Sequence, residues 1–330
     1  MTNLLIAAIG AILASNPPVT VSNLIQTATG IAVSVPATND PVTQALSRLM
    51  QEDDAARAEV EKWVEDNEKF AAQGAGLPPA DMRRRILARL APVREGYEAL
   101  LRQHTNRADI RIAYASYLGD LGEEIPAIEQ LEKARALDPQ DPAIWNNLAN
   151  LYGHNGEVTN AFDYYTRAIE LNPQEPVYYH NFGTTLFLFR KDAREHYHIN
   201  EQQVFDRALA LYSNAMRLDP HDFQLAADVA QTFYGIQPPR VDDALRAWTN
   251  AFALAGNAEE REGVHLHFAR IKIKAGRLEE AQSHLNQVTD TSHEVVKGRL
   301  IRMLQQARPA PPTATNASPT GPSHAPTSAP

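Results

Sequence analysis

Residues 142–175, PAIWNNLANLYGHNGEVTNAFDYYTRAIELNPQE, read as two helices joined by a tight turn. Trp145, Leu148 and Tyr152 recur at i, i+3 and i+7, which places them on one face of the first helix. Ala149, Ala161 and Ala168 are small where two helices must approach closely. Gly156 breaks the first helix, and Asn172-Pro173 ends the second because the residue before proline avoids the helical region.

The same spacing recurs along the chain. The window 108–141 puts Tyr114, Ala115, Leu118, Gly122, Ala127, Leu131, Ala134 and Pro139 on the corresponding positions. From Pro176 a third unit supplies Tyr179, Phe182, Gly183 and Leu186 as its first helix. Its second helix comes late, with Ala208, Tyr212, Ala215 and Pro220, so its turn holds an insertion over roughly residues 191–203. A fourth unit (223–256) pairs Val229, Ala230 and Phe233 with Ala244, Trp248 and Ala251, and its turn is lengthened around Pro238-Pro239. A fifth (259–290) pairs Phe268, Ala269 and Gly276 with Ala281, Leu285 and Val288.

This pattern resembles the tetratricopeptide repeat (TPR), a helix-turn-helix unit of about 34 residues with a W-x2-L-G-x2-Y…A…P signature. Ala149 stands where that signature has glycine. The resemblance implies an all-α fold, a right-handed superhelix of about five repeats over 108–290, since no unit buries its apolar face alone. It also implies a binding surface for protein or peptide, and no enzyme, cofactor or metal site.

Flanking segments fit that frame. Asp40-Pro41 is a helix start, with Asp as N-cap and Pro at the first position. Residues 40–107 read as two long helices that cap the repeats, separated at GAGLPP. Thr291-x-x-Glu294 reads as a capping box that opens a last capping helix over 291–306. Residues 307–330 are Pro, Thr, Ser and Ala with almost no large apolar side chain, the composition of a disordered tether. Asn316-Ala317-Ser318 within it fits a glycosylation sequon.

The first 39 residues carry no charged side chain. LLIAAIGAILA at 4–14 has the length of a signal-peptide core and is too short to span a bilayer, which takes about 20 residues. No Lys or Arg precedes it. Three readings stand: an export signal near residues 1–15, an uncleaved anchor, or a helix docked on the repeats. The first makes the protein exported or periplasmic, and the last leaves it cytoplasmic. Membrane contact is expected through residues 1–35 or not at all.

Charge and residue usage narrow the chemistry. A net charge of -9 and no basic stripe argue against phosphate neutralisation, so no nucleic-acid partner is expected. Arg83, Arg84 and Arg85 form one turn of a solvated helix face, as do Glu52, Asp53 and Asp54. There is no cysteine, hence no disulfide and no thiolate nucleophile. No phosphate loop, nucleophile elbow or H-E-x-x-H motif is present. His196 and His198 in the insertion, with Glu195, His180 or His154, fall short of the three or four converging ligands zinc needs. A loop packed over neighbouring helix ends, with Asn200 starting the next helix, is the expected form of that segment.

The TPR resemblance directs attention to the side of the first helices that lines the groove. Those positions hold Asn146, Asn147 and Asn150 in the second repeat and His180, Asn181 and Thr184 in the third. They hold Asp228 and Gln231 in the fourth, and His267 and Arg270 in the fifth. Asparagine both donates and accepts, so a row of them suits the backbone of an extended peptide. Asn147 and Asn181 match the asparagine ladder of the TPR region of O-GlcNAc transferases, which Ala113, Asp228 and His267 interrupt. Asn150 and Asn181 match the asparagines of the chaperone-type carboxylate clamp, but Asn146, Gln224 and Asp228 replace its basic residues. The expected function is a scaffold that binds a peptide or helical segment. The alternatives are an envelope assembly factor held at a membrane and a substrate-recruiting or regulatory partner of an enzyme acting in trans.

Overall fold

The computed structural model describes residues 40–308, so the candidate export signal, the uncharged start and the tail from residue 309 lie outside the described residues. These contain 14 α-helices and no strand. The chain divides into two compact units between Thr232 and Phe233. That division falls inside the fourth expected repeat.

The first unit opens with α1 (Pro41–Ala71) and α2 (Pro79–Gln103). Asp40 caps α1, accepting from the backbone N–H of Val42 and Thr43 at 3.2 Å each. Arg107 binds the same carboxylate at 2.6 Å. That ion pair holds the Asp40 carboxyl well below the usual carboxylate range. Leu46, Ala56, Val60 and Val64 of α1 bury against Met82, Ile86, Leu90 and Val93 of α2. Inside this apolar contact lies Asp53, 2% exposed, 3.0 Å from Arg57 and 3.5 Å from the Tyr97 hydroxyl. Burial pushes its carboxyl up to about 6.

Then come the paired helices. α3 (Ala108–Asp120) packs on α4 (Glu124–Leu137), and α5 (Pro142–His154) on α6 (Val158–Leu171). α7 (Pro176–Leu188) is followed by the short α8 (Arg190–Tyr197), and packs on α9 (Glu201–Leu218). α10 (Phe223–Thr232) closes the unit. Each pair also rests on the next, α4 on α5 and α6 on α7, so the apolar faces form one continuous stack. Ala127, Leu131 and Ala134, then Ala161, Tyr165 and Ala168, then Ala208, Tyr212 and Ala215 are buried at matching second-helix positions, repeat by repeat.

Turn geometry repeats with the sequence. Gly122 and Gly156 adopt φ of +75° and +88°, a region costly to any residue with a β-carbon. Past each, the chain reaches back with the same 2.9 Å bond, from Glu123 N–H to the Leu118 carbonyl and from Glu157 N–H to the Tyr152 carbonyl. The third pair has no such turn. Phe189 ends α7 and α8 begins at once, so the insertion is a helix and not the expected loop. Its Tyr197 and His196 rings lie 5.7 and 5.5 Å from the Phe162 ring of α6, a tertiary contact that fixes the helix. Asn200 and Gln203 then form a reciprocal capping box that starts α9.

The second unit holds α11 (Val241–Leu254), α12 (Ala258–Lys274), α13 (Leu278–Asn286) and α14 (Glu294–Ala307). α12 packs on α13, and α14 covers both with Leu300 and Leu304. The start of α14 differs from expectation. Residues Thr291–His293 form a single 3-10 turn capped by Asp290, whose carboxylate accepts from Ser292 N–H at 2.8 Å. Asp290, one position before the threonine, takes the N-cap role instead.

Candidate peptide-binding face

α5 and α7 present their expected groove positions to one another, and the result is enclosed. Asn146 and Asn147 are 0% exposed, Asn150 1% and Asn181 2%. This corrects the expectation that these asparagines face an open groove. Buried amides need partners, and neighbouring amides and hydroxyls supply several. Asn181 Nδ2 donates to Asn146 Oδ1 at 3.1 Å, and Asn146 Nδ2 donates to Asn147 Oδ1 at 3.3 Å. Tyr165 of α6 donates to Asn150 Oδ1 at 2.6 Å. The Thr185 hydroxyl stands 3.1 Å from the Tyr165 oxygen and 2.9 Å from the Asn181 carbonyl, and its one proton serves either. The amides therefore tie the second repeat to the third.

Accessible polar groups lie one step along, on α7 and α10. His180 Nε2 sits 3.7 Å from Asp228 Oδ2, and Gln224 Nε2 donates to Asp228 Oδ1 at 2.9 Å. Tyr212 of α9 donates to Thr184 Oγ1 at 3.1 Å, and its ring lies 5.8 Å from the His180 ring. Burial lowers the pKa of His180 against the opposing pull of Asp228 and Asp222. Burial likewise raises Asp228, against His180 and Gln224. Burial pushes the Tyr212 hydroxyl up to about 12, so it stays a neutral donor. Gln231 is exposed one turn beyond Asp228. Thus His180, Thr184 and Asp228 are brought together, half-buried, at one junction.

In the second unit His267 lies flat against Trp248, ring centres 3.8 Å apart, with its Nδ1 2.8 Å from the Tyr234 hydroxyl. Exposed Arg270 sits over the Tyr234 ring at 4.4 Å. Burial, then the Arg270 charge, press His267 down to about 4. These two expected groove residues form a stacked aromatic group of their own.

Tyr165 and Thr185 are not singled out in the sequence, and Tyr212 stands there only as a packing position of the third unit. The signal was available: both tyrosines hold the same position of successive second helices, each bonded to position-matched residues, Asn150 and Thr184. In the insertion, His196 faces Asp163 at 3.7 Å and His198 is exposed with a left-handed backbone. Among the described residues no three His, Asp or Glu side chains converge as a metal site would require.

The family model for the tetratricopeptide repeat matches residues 142–175, the two helices whose tight turn at Gly156 recurs at Gly122. That stretch is a tetratricopeptide repeat, set in an all-α stack of paired helices. No curated protein sequence matches it. Among solved structures it resembles a thermophilic TPR protein of Thermus thermophilus, 19% identical, over 60% of this chain and 100% of that one, with a TM-score of 0.43. PilF of Pseudomonas aeruginosa is 16% identical over 78% of this chain and 99% of its own, with a TM-score of 0.49. YrrB, a TPR protein with an unusual peptide-binding site, is 16% identical over 63% and 99%, with a TM-score of 0.45.

Proposed function

We propose that this TPR protein is a non-enzymatic scaffold that holds an extended peptide segment of a partner protein along the first-helix face of its first unit. TPR repeats serve protein interaction, and what supports this use of them here is the charge of that face. α5, α7 and α10 contain no lysine or arginine and one carboxylate, Asp228. On these three helices a free C-terminal carboxylate or an acidic peptide would find no lysine or arginine to replace its lost hydration. A neutral peptide backbone asks for donors and acceptors, and His180, Thr184, Asp228 and Gln231 offer both. The enclosed asparagines set the register of the helices that carry those groups.

The uncharged start supports export to the periplasm, and N-terminal sequencing of the native protein tests it. A mature start near residues 15–20 is expected, and Met1 or Thr2 on a cytosolic protein would remove that reading. For the face itself, the test is affinity capture with mass spectrometry, wild type beside His180→Ala/Gln231→Ala. Loss of a captured protein in the variant, with helicity and thermal midpoint kept, is expected. Equal capture by both would contradict the assignment.

A further inference from the structure

The inserted helix α8 builds a second feature, on the face of the second helices. Between α6, α7, α8 and α9 lies a cleft of about 310 Å³. Phe182, Leu186 and Leu211 make its apolar part, Tyr197 of α8 walls it, and Thr166 and Asn214 stand at its edge with Arg207 and Ala210. Without the insertion there would be no Tyr197, and the cleft would have no wall on that side.

Arg207 is exposed, and its guanidinium lies over the Tyr197 ring at 4.3 Å. No carboxylate among the described residues pairs with it. Asp163 of α6 faces His196 instead, at 3.7 Å. The cleft therefore joins an apolar floor to an unneutralised, planar cation that takes a carboxylate in bidentate fashion. Its rim is open, with Thr166, Arg207 and Ala210 all exposed. A free small molecule there would keep much of its surface in water, whereas small-ligand sites usually bury most of theirs. A side chain delivered by a larger partner has no such need.

We propose that this cleft is a second docking point, which anchors one large apolar side chain (Leu, Phe or Met) of a partner polypeptide with an Asp or Glu next to it on Arg207. It is separate from the first-helix face, and either can fail without the other.

A random 12-residue peptide display library, panned on the full chain and counter-selected on Ala210→Trp, tests it. Ala210 is exposed on α9, so the tryptophan fills the cleft without entering the core. Selected peptides should share an apolar residue beside Asp or Glu. They should bind Arg207→Glu about tenfold or more weakly, and bind His180→Ala/Gln231→Ala as they bind wild type. Three results would overturn the proposal: no peptide that discriminates wild type from Ala210→Trp, selected peptides with basic or no flanking charge, or displacement of the peptides by micromolar octanoate, which would mark a small-acid site.

Discussion

The second and third repeats answer the same packing problem differently. In the second, α5 and α6 meet through Ala149 and Tyr165, and the turn is a glycine turn of a few residues. In the third, α7 and α9 meet through Gly183 and Tyr212, and an entire helix replaces the turn. A β-carbon at Gly183 would lie 2.9 Å from the Tyr212 ring and 3.2 Å from the Ala208 carbonyl oxygen. The helices of the third pair are thus drawn closer than alanine allows. Polar groups change in step: Asn146 becomes His180 and Asn150 becomes Thr184, so a closed amide network gives way to a half-open one. The repeat that lost its tight turn is also the one that exposes usable polar groups.

The largest expected effect bears on the closed side. Asn147→Ala and Asn181→Ala remove partners from a buried network, and each should cost about 1–3 kcal/mol. Thermal denaturation of both single variants reads this. Were the amides groove groups turned to solvent, the midpoint would stay put.

Next comes the close approach. Gly183→Ala should destabilise by about 1–3 kcal/mol through overpacking. The reverse exchange, Ala149→Gly, should cost only about 0.5–1 kcal/mol, the backbone-entropy difference in a helix. Urea midpoints for the pair would break the comparison if the two costs were equal.

A smaller contrast separates the tyrosines. Tyr165→Phe removes a 2.6 Å bond to buried Asn150 and should cost about 1 kcal/mol. Tyr212→Phe should cost less, because Thr184 is half-exposed and can turn to water. Equal losses in chemical denaturation would show that the third repeat is as closed as the second.

The last difference is in pH. His180 has a folded pKa below its ordinary 6.5, so as pH falls through that value the unfolded chain takes up a proton that the folded chain resists. Stability therefore declines from this group on acidification. Asp228, raised from 3.8, works in the opposite sense, since the folded state protonates first as pH falls. Midpoints at pH 7.5 and 6.0 should fall further for wild type than for His180→Asn, which carries the untitratable residue of the second repeat.

The repeat register was legible because it rests on local chemistry: the Gly122 and Gly156 turns, the alanines at the helix crossings, and Asp40 before Pro41. The depth of a side chain was not. Neighbouring residues on a helix differ by about 100°, so Asn146 and Asn147 straddle the inner face. Whether that face is open depends on how far α7 leans in, which Gly183 and Tyr212 decide. Helix α8 was illegible for a related reason, since Arg190–Tyr197 has little apolar face and is held by the distant Phe162.

The central claim, that partners lie against the half-open polar face of the third repeat, is tested most directly by site-specific photo-crosslinking in the native host. Benzoylphenylalanine would be placed at Thr184, at Gln231 and, as a control on an exposed second-helix position, at Asn160. The account predicts a discrete protein adduct from Thr184 and Gln231 and none from Asn160. Adducts from Asn160 alone would contradict it.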